Sequence, residues 1–381
     1  MITADVVVIG GGVIGSTIAY TLAGQKQRTI LVDKQRPGQE ASAAAAGILA
    51  VSSDRSQHGP MYQLKKASQE LYPALIHDIE QATGIDIEYQ TVGVLGLIRN
   101  DADEKKYRSL YDLRREQGHQ VTWLSVDEVH RVEPALTTDI RAAVHFSGDH
   151  HLHNGKLAEA LARAAGKRGV QFRVDTTVNE VRTKNGKAHS LRIGEEWVEA
   201  GTVVIAAGAW SRQVGDLFGI SIPVKPAKGQ MLAIRTTLVR HVISHDEHYL
   251  VPRKSGEVII GSTVEYVGHT KDVTLEAIQS FIHRSEALVP GISKAPLSRF
   301  WAGLRPYSST RRPILCRAPE LDNVILATGH HRSGIVLAPI TGKVISELIM
   351  TGQSSLDLTP FGLPQEPVPS PALHESPDEA D

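Results

Sequence analysis

The stretch VVVIGGGVIG at residues 6–15, followed by STIAYTLAG and by TILVDK at 29–34, leaves the chain few ways to fold. An apolar strand runs into a glycine turn, a helix of small residues and a second apolar strand. Gly10, Gly12 and Gly15 occupy the three glycine positions of a dinucleotide fingerprint. The first makes a tight turn, the second lets backbone approach a pyrophosphate, and the third lets helix pack closely on strand. A helix beginning near Val13 aims its N-terminal amides at phosphate. Asp33 closes the second strand eighteen residues past Gly15, where a carboxylate meets the hydroxyls of an adenosine ribose and disfavours a 2′-phosphate. The glycines alone are a weak signal. With a strand before them, a helix after them and an acid at the right distance, they point to dinucleotide binding.

Length sets the next bound, because 381 residues exceed one ordinary core and predict about two domains. With 41% hydrophobic and 22% charged residues the composition is that of a globular protein. Basic and acidic residues nearly balance, 41 against 42, so no global charge marks a nucleic-acid or anionic-membrane partner. Cys316 is the only cysteine, which removes intrachain disulfides and fits a cytoplasmic protein. The nucleotide strand begins by Asp5, leaving no room for a signal peptide, and no run of eighteen apolar residues follows, so no membrane span is expected.

Further along, QRPGQEASAAAAGILA at 35–50 is a loop whose tiny residues let backbone run close to a ligand, or else the start of an alanine-rich helix. Leu64, Leu71, Leu75 and Ile79 give residues 61–83 helical spacing. From 85 to 98 the period becomes that of a strand, and a charged helix follows at 102–117. An amphipathic helix and strands return at 148–172, and VVIAAGAW at 203–210 is a buried strand ending at glycine. Residues 222–312 alternate like sheet, with a turn at 254–256 and a helix at 275–288 packed on it. The strand at 324–327, the glycine turn and the helix from Ile335 repeat the opening's logic at the far end.

Asp149, His150, His151 and His153 match no zinc spacing, and a polar loop leading into a helix accounts for them. His245 and His248 read as loop polarity, so no metal site is expected. The tail at 364–381, with five prolines and five acids, is expected to be disordered.

The ordered set VVVIGGGVIG, VDK, ASAAAAGIL, VVIAAGAW, FWAGLRP and ATGHHRSGIVLAP resembles the FAD-dependent D-amino-acid oxidase superfamily, and within it the bacterial glycine oxidases of the thiamin pathway. The pair HYLVPRKSG and GHHRSGI is the most specific part of that likeness. It implies an α/β chain with a discontinuous Rossmann-like FAD-binding domain at 1–84, 149–221 and 313–363. A smaller α+β substrate domain with a mainly antiparallel sheet is implied at 85–148 and 222–312.

Carried over by position, Val13 and Ile14 lie against the pyrophosphate, and Asp33 with Lys34 at the adenosine end. Ala41, Ser42, Ala46, Gly47 and Ile48 line the cofactor, and Val178 meets adenine through its backbone. His330, His331, Arg332, Ser333, Gly334, Ile335 and Val336 cradle the flavin. Arg305 takes the amino-acid carboxylate, Tyr249 stands beside it, and Arg332 is the active-site arginine of the glycine turn. The chain departs from the pattern where Asp33 replaces a commoner Glu, where Ala41 stands at a frequent hydroxyl position, and where His331 replaces an aromatic. Cys316 is not placed to tether flavin, so noncovalent FAD is expected.

These residues imply oxidation of glycine, sarcosine and small D-amino acids, with O2 reduced to H2O2 and the imine passing to thiamin thiazole synthesis. Arginine's planar fork matches a carboxylate in two parallel hydrogen bonds, so positioning carries most of the catalysis. A homotetramer is implied by the resemblance. Two other readings stay open: a flavin-dependent dehydrogenase using another electron acceptor, and a non-catalytic flavoprotein.

Overall fold

Two eight-stranded sheets carry the chain; in this computed structural model residues 2–54 and 58–364 are described. The tail expected to be disordered lies outside them from residue 365 on. Five strands of the first sheet run parallel in the order Val324–Thr328, Glu196–Ile205, Ile2–Ile9, Thr29–Val32 and Gln171–Arg173. Every residue of VVVI, TILV and VILAT is buried, because a parallel sheet is covered on both faces and its strands need no polar side. Four helices cover one face: Val13–Gly24, Pro60–Thr83, Asn154–Lys167 and Gly334–Thr351. The opposite core is shared with the antiparallel strands Val178–Lys184 and Lys187–Ile193.

The opening helix, Val13–Gly24, is apolar all round and correspondingly buried all round. Its two interior threonines satisfy their hydroxyls on the carbonyls of Val13 and Thr17, one turn back. At Gly15 an added Cβ would stand 1.9 Å from the Gly10 carbonyl oxygen, so only glycine lets this helix sit against the turn. That is the role assigned to it from sequence, and it places Gly15 behind the ligand face rather than on it.

The second sheet has the order Leu297–Ser308, Val224–Arg235, Glu257–Gly261, His248–Pro252, Val242–His245, Val94–Ile98, Ala142–Phe146 and Val121–Ser125. All neighbours are antiparallel except Val242–His245 with Val94–Ile98. The helix Leu275–Leu288, at the bounds its periodicity predicts, packs on one face through Ala277, Phe281 and Leu288. The other face carries Met231, Tyr249 and Trp301 and meets Ala46 of the first unit.

The strand expected over 85–98 is only Val94–Ile98. Gly84 ends the preceding helix in the left-handed region, and Glu88 has φ of 57°, so the intervening segment cannot stay extended. Alternation survives within the short strand, where Leu95 and Leu97 enter one core while Val94 and Ile98 enter the other. Two histidines also differ from expectation. His248 is no loop residue: it is buried on a strand, with Nε2 2.9 Å from Ser285 Oγ, and burial pushes its pKa down to about 3. His245 ends the neighbouring strand, Nε2 3.2 Å from Asp103.

Residues His331–Thr351 are, by length and composition, apolar enough to cross a membrane. Most of that segment is buried inside the protein, where the Gly334–Thr351 helix packs on the opening and long helices. Pro339 deprives the Ile335 carbonyl of its helical donor. The buried Tyr72 hydroxyl of the long helix donates to that carbonyl, and Ser68 Oγ accepts from the Ile340 amide at 3.2 Å.

Candidate active site

A cavity of about 910 Å³ lies between the two sheets and has chemically distinct ends. One end is the glycine turn. Gly10, Gly12, Val13 and Ile14 line it, whereas Gly15 does not. Ser42 Oγ accepts from the Val13 amide at 2.8 Å, so an amide expected to face phosphate is already engaged, and the serine's own O–H is the donor that remains. Asn154 holds this segment by donating to the carbonyls of Ser42 (2.6 Å) and Ala43 (2.8 Å). The buried Arg253 donates to the carbonyls of Ala46 and Leu152 and to Asn154 Oδ1, tying residues 42–47 to the second sheet. Burial lowers the Arg253 guanidinium to about 10, which leaves it a cation at neutral pH.

Asp33 receives the Gly11 amide on Oδ2 at 2.6 Å and the Gln35 amide on Oδ1 at 2.8 Å. Each oxygen keeps a second lone pair for a ribose hydroxyl. Burial raises the Asp33 carboxyl. Lys34 Nζ lies 3.2 Å over the Trp210 ring and pairs with Glu40 at 3.1 Å. Val178, Ala41, Ala46, Gly47 and Ile48 complete this wall, and Ala41 and Ser42 lie in a short helix, Ala41–Ala44.

Midway, the turn after the strand Val324–Thr328 brings His330, His331, Arg332, Ser333, Gly334 and Ile335 to the cavity, while Val336 faces the core. His330 Nε2 is 3.1 Å from Thr341 Oγ1, and burial pushes this histidine down to about 3. His331 has φ of 46° and meets the Tyr307 ring edge-on at 5.2 Å. Burial first, then the charges of Arg305, Arg332 and Arg311, hold its imidazole well below the usual range, so it is neutral. His331 Nε2 is buried and has no hydrogen-bond partner among the described residues.

The far end is built around Arg305, on the strand Leu297–Ser308. Its guanidinium donates to Thr263 O at 3.0 Å and Ser262 Oγ at 2.7 Å. It lies against Gly229 so closely that a Cβ there would be 2.2 Å from Nη1. Two of five N–H donors fix the fork's plane, and a carboxylate needs two more. Tyr249 stands beside Arg305; both line the cavity. Arg332 reaches this end from the turn and is already engaged: it pairs with Glu247 on the hairpin between the strands Val242–His245 and His248–Pro252. Glu247, Tyr266 and Tyr307 also line this end, as does Trp210 the other. Sequence reasoning did not single them out. Trp210 ends the quoted VVIAAGAW stretch, but the strand expected over 203–210 stops at Ile205 and Gly208–Trp210 is a 3-10 turn; Glu247 sits among charged loop residues with no spacing to mark it.

The Asp149 to His153 segment is structural. Asp149 accepts from the amides of Val51, Ser52 and Ser53, His151 Nε2 lies 3.1 Å from Pro252 O, and His153 caps the Asn154–Lys167 helix. Asp103, His245 and Asp246 bring ligand-type atoms within 4.8 Å of one another, yet the Asp103 oxygen nearest His245 also accepts the Arg99 amide.

The family model described as FAD dependent oxidoreductase matches residues 5–348. The chain belongs to the FAD-dependent oxidoreductase family. It is 33% identical to a glycine oxidase of Geobacillus kaustophilus over 94% of this chain and 96% of that one. The crystal structure of glycine oxidase from that organism superposes with a TM-score of 0.92, covering 96% of this chain and all of the other. It is also 30% identical to hydrogen cyanide synthase subunit HcnC of Pseudomonas aeruginosa, over 94% and 95%. With a bifunctional ThiO/ThiG protein of Synechocystis it shares 33% identity, over 91% of this chain and 52% of the larger protein.

FAD is the cofactor of this oxidoreductase, and the cavity's donor set fits it. The glycine turn and the Ser42 hydroxyl suit a diphosphate, the Asp33 oxygens a ribose, and the buried Nε2 of His331 lacks the partner a ligand atom would provide. Cys316 is not among the cavity-lining residues, and burial raises its thiol to about 11.

Proposed function

We propose that this oxidoreductase oxidises small amino acids at the amine-bearing carbon, with glycine, sarcosine and small D-amino acids as substrates. The observation that carries this reading is Arg305, deep at one end of the cavity, with its fork held by Ser262 and Thr263 and Tyr249 alongside. Two of the three remaining donors of the fork take the substrate carboxylate, and the Tyr249 hydroxyl steadies it. When bound, FAD supplies the hydride acceptor that converts the amino acid to its imine, and O2 takes the electrons as H2O2. Neutral His331 adds no further positive charge beside the amine, which reacts as the free base. Tyr307 and Tyr266 wall this end from water.

The first sheet with its helices serves as the cofactor unit and the second as the substrate unit. FAD is held without a covalent bond, so acid precipitation should leave the flavin in the supernatant. The imine is offered to thiazole assembly in thiamin synthesis, a reading supported by the likeness to ThiO/ThiG. Assembly as a homotetramer is open to light scattering.

Anaerobic titration with glycine, sarcosine and D-alanine, followed by air and peroxide detection, tests the reading. Bleaching of the flavin band, recovery in air and one peroxide per turnover are expected. Flavin that none of these amines reduces would overturn it. A second reading, a dehydrogenase with another acceptor, is favoured by the likeness to HcnC and would show bleaching without recovery in air.

A further inference from the structure

The substrate end holds more positive charge than one carboxylate requires. Arg305, Arg311 and Arg332 all line the cavity, and the charges of all three act on both His331 and Tyr266. Two acids line the same end. Asp246 is exposed and stands 3.6 Å from His245. Glu247 instead reaches Arg332 across the cavity wall, joining the second sheet's hairpin to the turn before the closing helix. Its charge is also felt at Arg305, where it favours the cation. Both members of the Glu247–Arg332 pair are about one-third exposed at the side chain, 35% and 37%, so the pair sits where the cavity meets solvent.

We infer that Glu247 determines substrate charge: it occupies the second arginine with a carboxylate supplied by the protein, and so restricts the site to amino acids carrying a single acid group. The inference rests on the reading of Arg305 as the carboxylate site. A substrate with a second carboxylate would have to displace Glu247 from Arg332 and leave two acids facing each other, a repulsion that discriminates between substrates without touching the α-carbon. A neutral side chain of the same size meets no such penalty. Without the Glu247 charge, Arg332 can take a second carboxylate in its place, and amino-dicarboxylates become substrates.

D-Aspartate and D-asparagine have the same shape and differ in charge, so their kcat/KM ratio on the FAD-loaded enzyme isolates this effect from changes in pocket size. In the unaltered protein the ratio of D-aspartate to D-asparagine is expected below one tenth. Glu247→Gln, which keeps the volume, should raise the ratio at least tenfold, and adding Arg332→Gln to it should take back at least fivefold of that gain. A wild-type ratio near one, an unchanged ratio in Glu247→Gln, or a gain that survives Arg332→Gln would each overturn the assignment. Failure of the underlying reading looks different, because then neither D-asparagine nor glycine reduces the flavin.

Discussion

The two ends of the cavity are built by opposite means. At the cofactor end the glycine turn offers main chain from one continuous stretch of strand, turn and helix, with Asp33 and Ser42 set beside it, and its fit depends on what is absent from Gly15 and its neighbours. The substrate end is made of side chains from separate strands, Arg305, Ser262, Tyr249, Glu247 and Arg332, held by one another. A main-chain surface tolerates almost no added atom but is indifferent to most side-chain identities around it. A side-chain surface can be retuned one residue at a time.

Arg305→Ala should give the largest effect and sharpen that contrast. Losing one partner of a charged hydrogen-bonded pair costs about 2–5 kcal/mol. kcat/KM for glycine should therefore fall by a factor of tens to thousands while the flavin-to-protein absorbance ratio is unchanged. Gly15→Ala is the mirror case. Its Cβ would press on the Gly10 carbonyl, an overpacking of about 1–3 kcal/mol. Flavin retention should drop tenfold or more, and equilibrium dialysis with FAD measures it; full retention would break the contrast.

Acid should act on both units together, because each buries a neutral histidine, His330 beside the closing helix and His248 beneath the Leu275–Leu288 helix. His330 and His248 are each held near 3 by burial, while an unfolded histidine titrates near 6.5. The unfolded chain binds protons the folded chain refuses, so stability is full above pH 6.5 and is lost as pH falls toward 3. By pH 5 each histidine removes about 2 kcal/mol. Urea unfolding at pH 7.5 and pH 5 checks this, and flavin release should coincide with loss of tertiary structure. Release at a clearly milder pH would show that the cofactor end yields separately. The smallest effect is expected from Trp210→Leu, which removes the ring beneath Lys34 at a cost of about 0.5–1 kcal/mol. FAD affinity should fall twofold to fivefold.

The same contrast explains what could be read in advance. Residues 6–34 encode their own geometry, since the turn, the packing glycine and the acid are neighbours in the chain, and the structure puts the turn and Asp33 on the cavity with Gly15 behind it. Arg305 and Arg332 came from resemblance, because no local spacing distinguishes a fork held by Ser262 from a surface arginine. The partnership of Arg332 with Glu247 was out of reach: the two are far apart in sequence, and HDEHY looks like any polar turn. His248 was misplaced for the same reason, as its neighbours are polar while its own position is on the inward face of a strand. Over 85–93 an apolar pattern was present, but Gly84 and the left-handed Glu88 decided against a strand.

The last helix has a further consequence for the order in which the molecule can assemble. During synthesis the strands Ile2–Ile9 and Thr29–Val32 emerge well before residues 334–351, and the opening and long helices acquire their shared neighbour only when those residues arrive. Until then, apolar surface on both of those helices is uncovered, and the Tyr72 hydroxyl has no Ile335 carbonyl to meet. A nascent chain stopped before residue 334 therefore displays a completed fingerprint on an unfinished core. Cofactor capture is deferred until residues 334–351 fold back on the opening helix.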